Sequence, residues 1–500
     1  MTTRRTFIGT AAVGSLLPTA IRSHQATPAP TLLAELVIDL SGSPDNLTPA
    51  STYSTRDWSV LHAIYDSLLD FGPEGDILPQ AAEVFETDDA ITYRVKLRAG
   101  MTFHDGTPVT TAAISRNVRH IQEADSQISE LYSVITEVRE IDDLNAEIVC
   151  AEPAAWLPSQ MVVWGVLLPE SATDNTLANS PIGSGPYIFE DWVQGSHISL
   201  QRNPDYLPGT PKGEPMAERV VYRFVPEAAT RVADLSTGQA HIIAEIPPDQ
   251  VDGIERSGHQ VITRSMLGTA FIRIASDAAP FDDPRVAQAL NYAVDVQTIA
   301  DALEGPEARR LASVFPDPRG IGFDEHLEPF PFDQDKAKTL LSEAGLSDGI
   351  DAELQIVAGS RTDVVEAVVA QLAEVGVRLT IVATELAAFN QDWHNPEAPA
   401  LRYATWRPMY DPFTFLRLVI NSEGFLSRYD NPAADELIAA AAVEPMPDVR
   451  EGIYHELARE LQAHPAAIYL WNLVSTVGVS SVISGWEPRG DEYVLPLRRS

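Results

Sequence analysis

The sequence predicts an α/β protein built from two or three domains. Three observations carry that expectation. At 500 residues the chain exceeds what one hydrophobic core usually organises. Apolar residues make up 45% of it, enough for sizeable cores. Stretches of helical periodicity also run repeatedly through a glycine into strand periodicity, as α/β domains require.

The first element is a leader. "MTTRRTFIGTAAVGSLLPTA" carries Arg4 and Arg5, then Phe7, then an apolar run from Ile8 to Leu17, too short to span a bilayer. T-R-R-x-F-I resembles the twin-arginine export signal, which makes residues 1–29 a signal peptide cleaved between Ala20 and Ala29. No cysteine follows the apolar run to accept a lipid, and no later run is long enough to cross a membrane. The expectation is a soluble, exported, periplasmic protein.

From about Leu32 strand-like and helix-like stretches alternate. "ITYRVKLRAG" (Ile91–Gly100) has period two and stops at Gly100, predicting a half-buried strand. A helix follows in "TPVTTAAISRNVRHI", capped by Thr110 or Thr111. Cys150, the only cysteine, ends the run "NAEIVC" and reads as a buried strand residue. Asp283 and Pro284 supply an N-cap and a first helical residue, Asp295 starts a second helix, and Gly305 closes it. "DQDKAKTLLSEAGL" is an amphipathic helix ending at Gly345. "DVVEAVVAQLAEVGVRLTIV" is a helix ended by Gly376, then a strand with Val377, Leu379 and Ile381 on one face.

Charge and motifs narrow the function. The chain has 35 basic and 71 acidic side chains, net −36. It should repel nucleic acid and anionic membrane surfaces, which need a basic face. There is no G-x-S-x-G elbow and no P-loop. "HELAR" at His455 starts like a zinc-protease helix, but Arg459 stands where the second histidine belongs, so a solvent-facing helix is expected there. "FHDGTP" places His104 beside Asp105, and a hairpin turn accounts for it. "PIGSGPY" lacks dinucleotide spacing and reads as a tight turn. The eleven histidines do not cluster at ligand spacing. No catalytic residue, metal site or cofactor is expected, and the chain reads as a non-enzyme.

Several stretches taken together resemble one family. They are "AIYDSLL", "AITYRVKLRAGMTFHDGTPVT", "PIGSGPYIFEDWVQGSHISLQRNPDYLPG", "VPEAATRVADLSTGQAHI", "DPRVAQALNYAVD" and "FDQDKAKTLLSEAGL". In this order and spacing they resemble the extracytoplasmic solute-binding proteins of peptide and nickel ABC importers, bacterial extracellular solute-binding family 5. The likeness runs from about Leu40 to Pro488. It implies a two-lobed, type II periplasmic binding protein fold with an extra subdomain in the first lobe. Lobe I would comprise residues 30–265 and 472–500, with the subdomain at about 53–178, and lobe II residues 266–471. The implied function is a monomeric receptor that closes on a small peptide or similar small polar solute and delivers it to a membrane permease. A nickel chelate is the alternative ligand. A periplasmic enzyme or a sensory binder on the same fold is the alternative of another class.

The resemblance also implies a site. The stretch "ATWRPMYDPFTFL" (Ala404–Leu416) would face the cleft. Peptide-binding members carry an acid four positions before the proline of D/E-P as an amine clamp; here Pro408 stands there. Trp406 and Tyr410 look like the pair that flanks the chelate in nickel-binding members, and Tyr53 and Trp58 fall near another contact stretch. Arg119 matches a chelate-binding arginine. "MVVWGVLLPE" lacks a second such arginine, and "INSEGFLSRYD" lacks a histidine ligand. Arg407 is an addition suited to bidentate pairing with a carboxylate. The expected arrangement is a small anionic or zwitterionic solute stacked on Trp406 and Tyr410 and held by Arg407 and Arg119. Core packing for Trp406, a surface ion pair for Arg407 and a strand-ending turn at Asp411-Pro412 are the competing structural readings.

Overall fold

A computed structural model describes residues 32–498, apart from 53, 73, 74, 125, 317–319 and 408. The leader expected over residues 1–29 lies outside the described residues, as do Tyr53 and Pro408. No helix among the described residues is long and apolar enough to cross a membrane.

Two long strands, rich in β-branched and aromatic residues and buried on both faces over most of their length, organise the molecule. The main sheet contains β1 (Leu33–Leu40), β2 (Tyr187–Val193), β3 (His197–Arg202), β4 (Ala217–Phe224), β5 (Ile242–Ile243), β6 (Gln260–Ile274), β7 (Ile350–Val357), β8 (Val377–Thr384), β9 (Leu401–Trp406) and β10 (Ala467–Val479). Its spatial order is β8-β7-β9-β6-β10-β5-β1-β4-β3-β2. The long pair β6 and β10 is antiparallel, but the register shifts between Ser265 and Thr269 and again before Phe271. Gly268 sits in that shift. A Cβ there would lie 3.0 Å from the Trp406 carbonyl oxygen and 2.8 Å from Leu473, so only glycine lets β6 pass this close beneath the end of β9.

Apolar packing changes partners at the same place. Before the shift, the sheet packs into a core that runs from Leu36 through Ala244 and returns at Val477–Leu497. Beyond it, separate cores gather Met266–Leu473 and Phe271–Tyr469. Tyr410 is an exception: its chain neighbours Met409 and Phe415 belong to the Phe271 core, yet its ring packs with the first core.

A four-stranded antiparallel sheet projects from the first half, ordered Ala82–Glu86, Thr92–Leu97, Asn145–Cys150, Ile135–Glu140. Tyr93, Val95 and Leu97 are buried in alternation, as the period-two pattern predicts, and Cys150 is buried at its strand end. "FHDGTP" is a turn: the Asp105 carboxylate accepts the Thr107 amide at 3.0 Å. His104 is structural, its backbone amide donating to the Gly183 carbonyl at 2.9 Å and its ring meeting the Gly185 carbonyl at 3.1 Å. A Cβ on Gly183 would fall 2.1 Å from the Ile64 carbonyl, which is why "GSGPY" needs its glycines.

Helices named in chain order are α1 (Thr55–Ile64), α2 (Ala112–Glu123), α3 (Leu157–Val163), α4 (Pro284–Tyr292), α5 (Val296–Leu303), α6 (Gln334–Glu343), α7 (Thr362–Ala373), α8 (Pro432–Val443) and α9 (Pro447–Ala463). Caps stand where the sequence places them: Asp283 accepts the Arg285 amide and Asp295 the Thr298 amide. One expectation is corrected. The helix containing "HELAR" is not simply solvent-facing, because Tyr454, Leu457, Ala458 and Leu461 of α9 are core residues. His455 and Arg459 hold the distant loop between α5 and α6, through the Phe323 carbonyl at 3.2 Å and Asp324 at 2.6 Å.

Candidate functional site: an aromatic cavity at the end of strand β9

The chain leaves β9 at Trp406. The Met409 amide donates to the Leu267 carbonyl at 2.7 Å, folding the segment back over the register shift. Asp411 then accepts the Phe413 amide at 2.9 Å and starts a helical turn, Phe413–Phe415, that runs into a π-helical turn, Leu416–Ile420. Asp411-Pro412 is therefore a turn, but more than a turn. The Asp411 carboxylate is 7% exposed and takes both arms of Arg450, one at 2.9 Å, with Arg450 also bonded to the Tyr454 hydroxyl at 2.7 Å. Sequence spacing carries no signal for a partner 39 positions away.

A cavity of about 250 Å³ opens where this segment meets α1, α3 and the C-terminal stretch. Trp58, Trp164, Trp406, Tyr410 and Tyr493 wall it. Trp58 is buried, and its indole donates to the Thr52 carbonyl at 3.0 Å. Trp164 donates to the same carbonyl at 3.2 Å and stands edge-on to Trp58 with ring centroids 6.3 Å apart. Tyr410 donates to Asp491 at 3.0 Å and meets Phe71 edge-on at 4.9 Å. Burial and the Asp491 carboxylate push its phenol well above its usual range. Asp491 is fixed in turn by Arg489 at 2.6 Å, and Arg489 by Asp70 at 2.8 Å. These polar tips are committed, so Trp58, Trp164 and Tyr410 offer a solute only their flat faces.

Trp406 differs. It is half-buried and packs edge-on against Phe415 at 5.4 Å, leaving the rest of its ring to the cavity. Gln160 of α3 adds a polar atom. Its amide nitrogen donates to Ser159 at 3.0 Å and, across the cavity, to Thr414 at 3.2 Å. Its oxygen is buried and has no partner among the described residues. A buried acceptor left in that state costs about 1–3 kcal/mol, a cost that a ligand N–H removes.

Two expected anchors stand differently. Arg407 is not free: it is ion-paired with Glu492, a carboxylate only 14% exposed. Burial raises the Glu492 carboxyl and the Arg407 charge opposes that rise, so the arginine is held by a buried charge that needs it. Its flank also borders a second, charged cavity of about 910 Å³ with Arg56, Glu245, Glu304 and Arg361. Arg119 is exposed on α2, while Ala113, Ile114, Asn117, Val118 and Ile121 of that helix face inward. It does not line the cavity. Trp58, Trp406, Arg407 and Tyr410 are brought together; Arg119 is not. Trp164, Gln160 and Tyr493 join them without having been anticipated. Trp164 lies in "MVVWGVLLPE", read only for a missing arginine, and Tyr493 follows the stretch where the resemblance ends.

Comparisons with known proteins bear on this geometry. The family model for bacterial extracellular solute-binding proteins, family 5 middle, matches residues 76–426. The glutathione-binding protein GsiB of Pectobacterium atrosepticum is 27% identical over 361 residues, 70% of this chain and 69% of that protein. Among solved structures, the ABC transporter substrate-binding protein CtaP of Listeria monocytogenes superposes with a TM-score of 0.83 at 22% identity, covering 93% of this chain and 99% of its own. The periplasmic binding protein DppA of Helicobacter pylori, in complex with the peptide STSA, gives 0.79 at 20% identity over 94% and 98%. At these identities the structures establish the fold: α/β, two-lobed, of the type II periplasmic binding protein class.

Proposed function

The chain belongs to family 5 of the bacterial extracellular solute-binding proteins, and from that premise we propose that it captures a small peptide-like solute in the Trp406 cavity and delivers it to an ABC permease. One observation carries the choice of ligand. The cavity is walled by aromatic faces, of which Trp58, Trp164 and Tyr410 have already used their donors. Two of its lining side chains, Gln160 through its amide oxygen and Tyr493 through its hydroxyl, hold a buried polar atom with no partner among the described residues. Such a site suits a solute with flat amide groups and an N–H to give. The glutathione of the GsiB name and the STSA peptide of the DppA complex support that class.

In this reading the lobes are residues 30–265 with 472–500, and 266–471, closing about the shift in β6 and β10. Closure is stabilised only by contacts that the open form lacks. Arg407–Glu492 and Gln160–Thr414 serve as such contacts in this reading, since each joins the β9 segment to lobe I. The leader exports the protein by the twin-arginine route, and the protein works as a monomer. Its relatives by family and fold are binding proteins rather than enzymes, and the proposal includes no chemistry on the solute.

Native mass spectrometry of the mature protein tests this, after exposure to a peptide digest, glutathione and nickel–histidine. Adducts of peptide mass, recovered chemically unchanged, are the expected result. A single adduct with nickel's isotope pattern assigns the site to a metal chelate instead, and protein without any adduct overturns the peptide reading.

A further inference from the structure

The inner cavity is not closed. Past Trp406 it adjoins a groove of about 1450 Å³, and the two share Leu131, Thr405, Trp406 and Leu418 as walls. The groove lies between the Glu130–Trp156 side of the projecting subdomain and the β9 side of the sheet. Its floor and walls are aromatic: Phe389, Trp393, Trp406, Phe413 and Phe425. Trp156 and Phe413 stack across it with centroids 4.8 Å apart and planes 10° off parallel. Phe425 is 62% exposed and Leu386 57% exposed. Apolar surface gathered in this way is uncommon unless something covers it.

One cation faces the groove. Arg417 is half-buried, and its guanidinium donates to the Asn421 side chain at 2.9 Å. It has no carboxylate within ion-pair distance among the described residues, whereas Arg407, Arg450 and Arg489 around the inner cavity are all ion-paired. The groove's two acids, Glu130 and Glu152, are exposed on the subdomain side and unpaired with it. Arg417 stands in the π-helical turn, where the Asn421 amide reaches back to the Leu416 carbonyl at 2.7 Å. Such turns recur at functional sites; here the turn places Arg417 in the groove and Leu418 at its junction with the cavity.

Resting on the reading of the inner cavity as a peptide-like solute site, we propose that the solute has two parts. A compact polar head sits against Gln160, and an apolar arm crosses Trp406 into the groove and ends in a carboxylate on Arg417. The occupant of the groove is the same molecule that fills the cavity, because the two spaces meet at one indole, Trp406, which walls both. The preferred class is a peptide of apolar residues longer than a dipeptide.

Isothermal titration tests this with three probes: Ala-Ala, Ala-Leu-Phe-Leu, and the C-terminal amide of that tetrapeptide. On the wild type the tetrapeptide binds about tenfold or more tighter than Ala-Ala, and about tenfold tighter than its amide, each factor being about 1.4 kcal/mol. Arg417→Gln brings the acid down to the affinity of the amide and leaves the amide and Ala-Ala where they were. Phe425→Ala weakens both tetrapeptides and spares Ala-Ala. Equal binding of long and short peptides, or an Arg417→Gln loss shared by acid and amide, overturns the two-part solute while leaving the inner site standing. No binding of any peptide removes the inner-site reading and this one together.

Discussion

Trp406 and Tyr410 sit four positions apart on one segment, and the sequence offers them as a matched pair of walls. They are not matched. The Tyr410 hydroxyl is bonded to Asp491, its ring belongs to the first core, and the next residue is locked by Arg450. Trp406 keeps an open face to both the cavity and the groove. The difference teaches that one side of this segment is anchorage and the other recognition. Polar atoms already paired inside the protein bind it to itself, and only unspent faces and unpaired atoms are left for a solute.

The sharpest way to break this comparison is to cut the anchorage. Arg450→Met strands the Asp411 carboxylate in the interior, and removing one partner of a buried ion pair costs roughly 3–5 kcal/mol. A fall of that size in the urea-unfolding free energy is expected; a loss below about 1 kcal/mol would place Asp411 in water. On the recognition side, Trp406→Ala should reduce affinity for the bound solute by about 2 kcal/mol, as for a central aromatic contact, with little change in melting temperature. A large stability loss with intact affinity would return Trp406 to core packing. Tyr410→Phe sharpens the same contrast on a smaller scale. It removes one hydrogen bond to Asp491, so stability should drop by about 1 kcal/mol, while affinity stays put because only the ring faces the cavity.

Much of the fold was legible because its signals are local. Asp283, Asp295, Gly345 and Gly376 act within a few residues of themselves, and the period-two run Thr92–Leu97 buries its alternate side chains whatever lies elsewhere. The site was legible only as a place. Trp58, Trp406 and Tyr410 do converge, yet nothing near Arg407 in sequence announces Glu492, 85 positions on, and nothing near Asp411 announces Arg450. Whether an arginine is free for a ligand depends on carboxylates supplied by distant segments, and composition is silent on that. Arg119 shows the reverse error. Its helix is correctly read, but the face it occupies follows from which of its neighbours are buried, and Val118 and Ile121 turn it to solvent. Gln160 was invisible for a third reason: an amide becomes informative only when one of its atoms is buried without a partner.

The smallest expected effect concerns a carboxylate that lacks what Asp411 has. Asp57, one residue before Trp58 on α1, is half-buried and has no hydrogen-bond partner for its side chain among the described residues. Burial is the main cause that raises its pKa from the ordinary 3.8 to about 6; Asp45 adds to the rise and Arg56 opposes it. A raised acid pKa means that the folded state holds the proton more tightly than the unfolded chain. The stability it contributes is therefore fully present below about pH 3.8 and is lost as pH rises through about 6. At pH 7.5 the folded protein carries an unpaired, partly desolvated charge, and Asp57→Asn removes it. The variant should then be more stable than the wild type at pH 7.5 by about 1 kcal/mol after allowance for solvent screening, and the gain should vanish at pH 4. Urea unfolding at the two pH values measures it. A gain that persists unchanged at pH 4 would trace the effect to packing rather than charge, and would make Asp57 an ordinary surface carboxylate beside a buried indole.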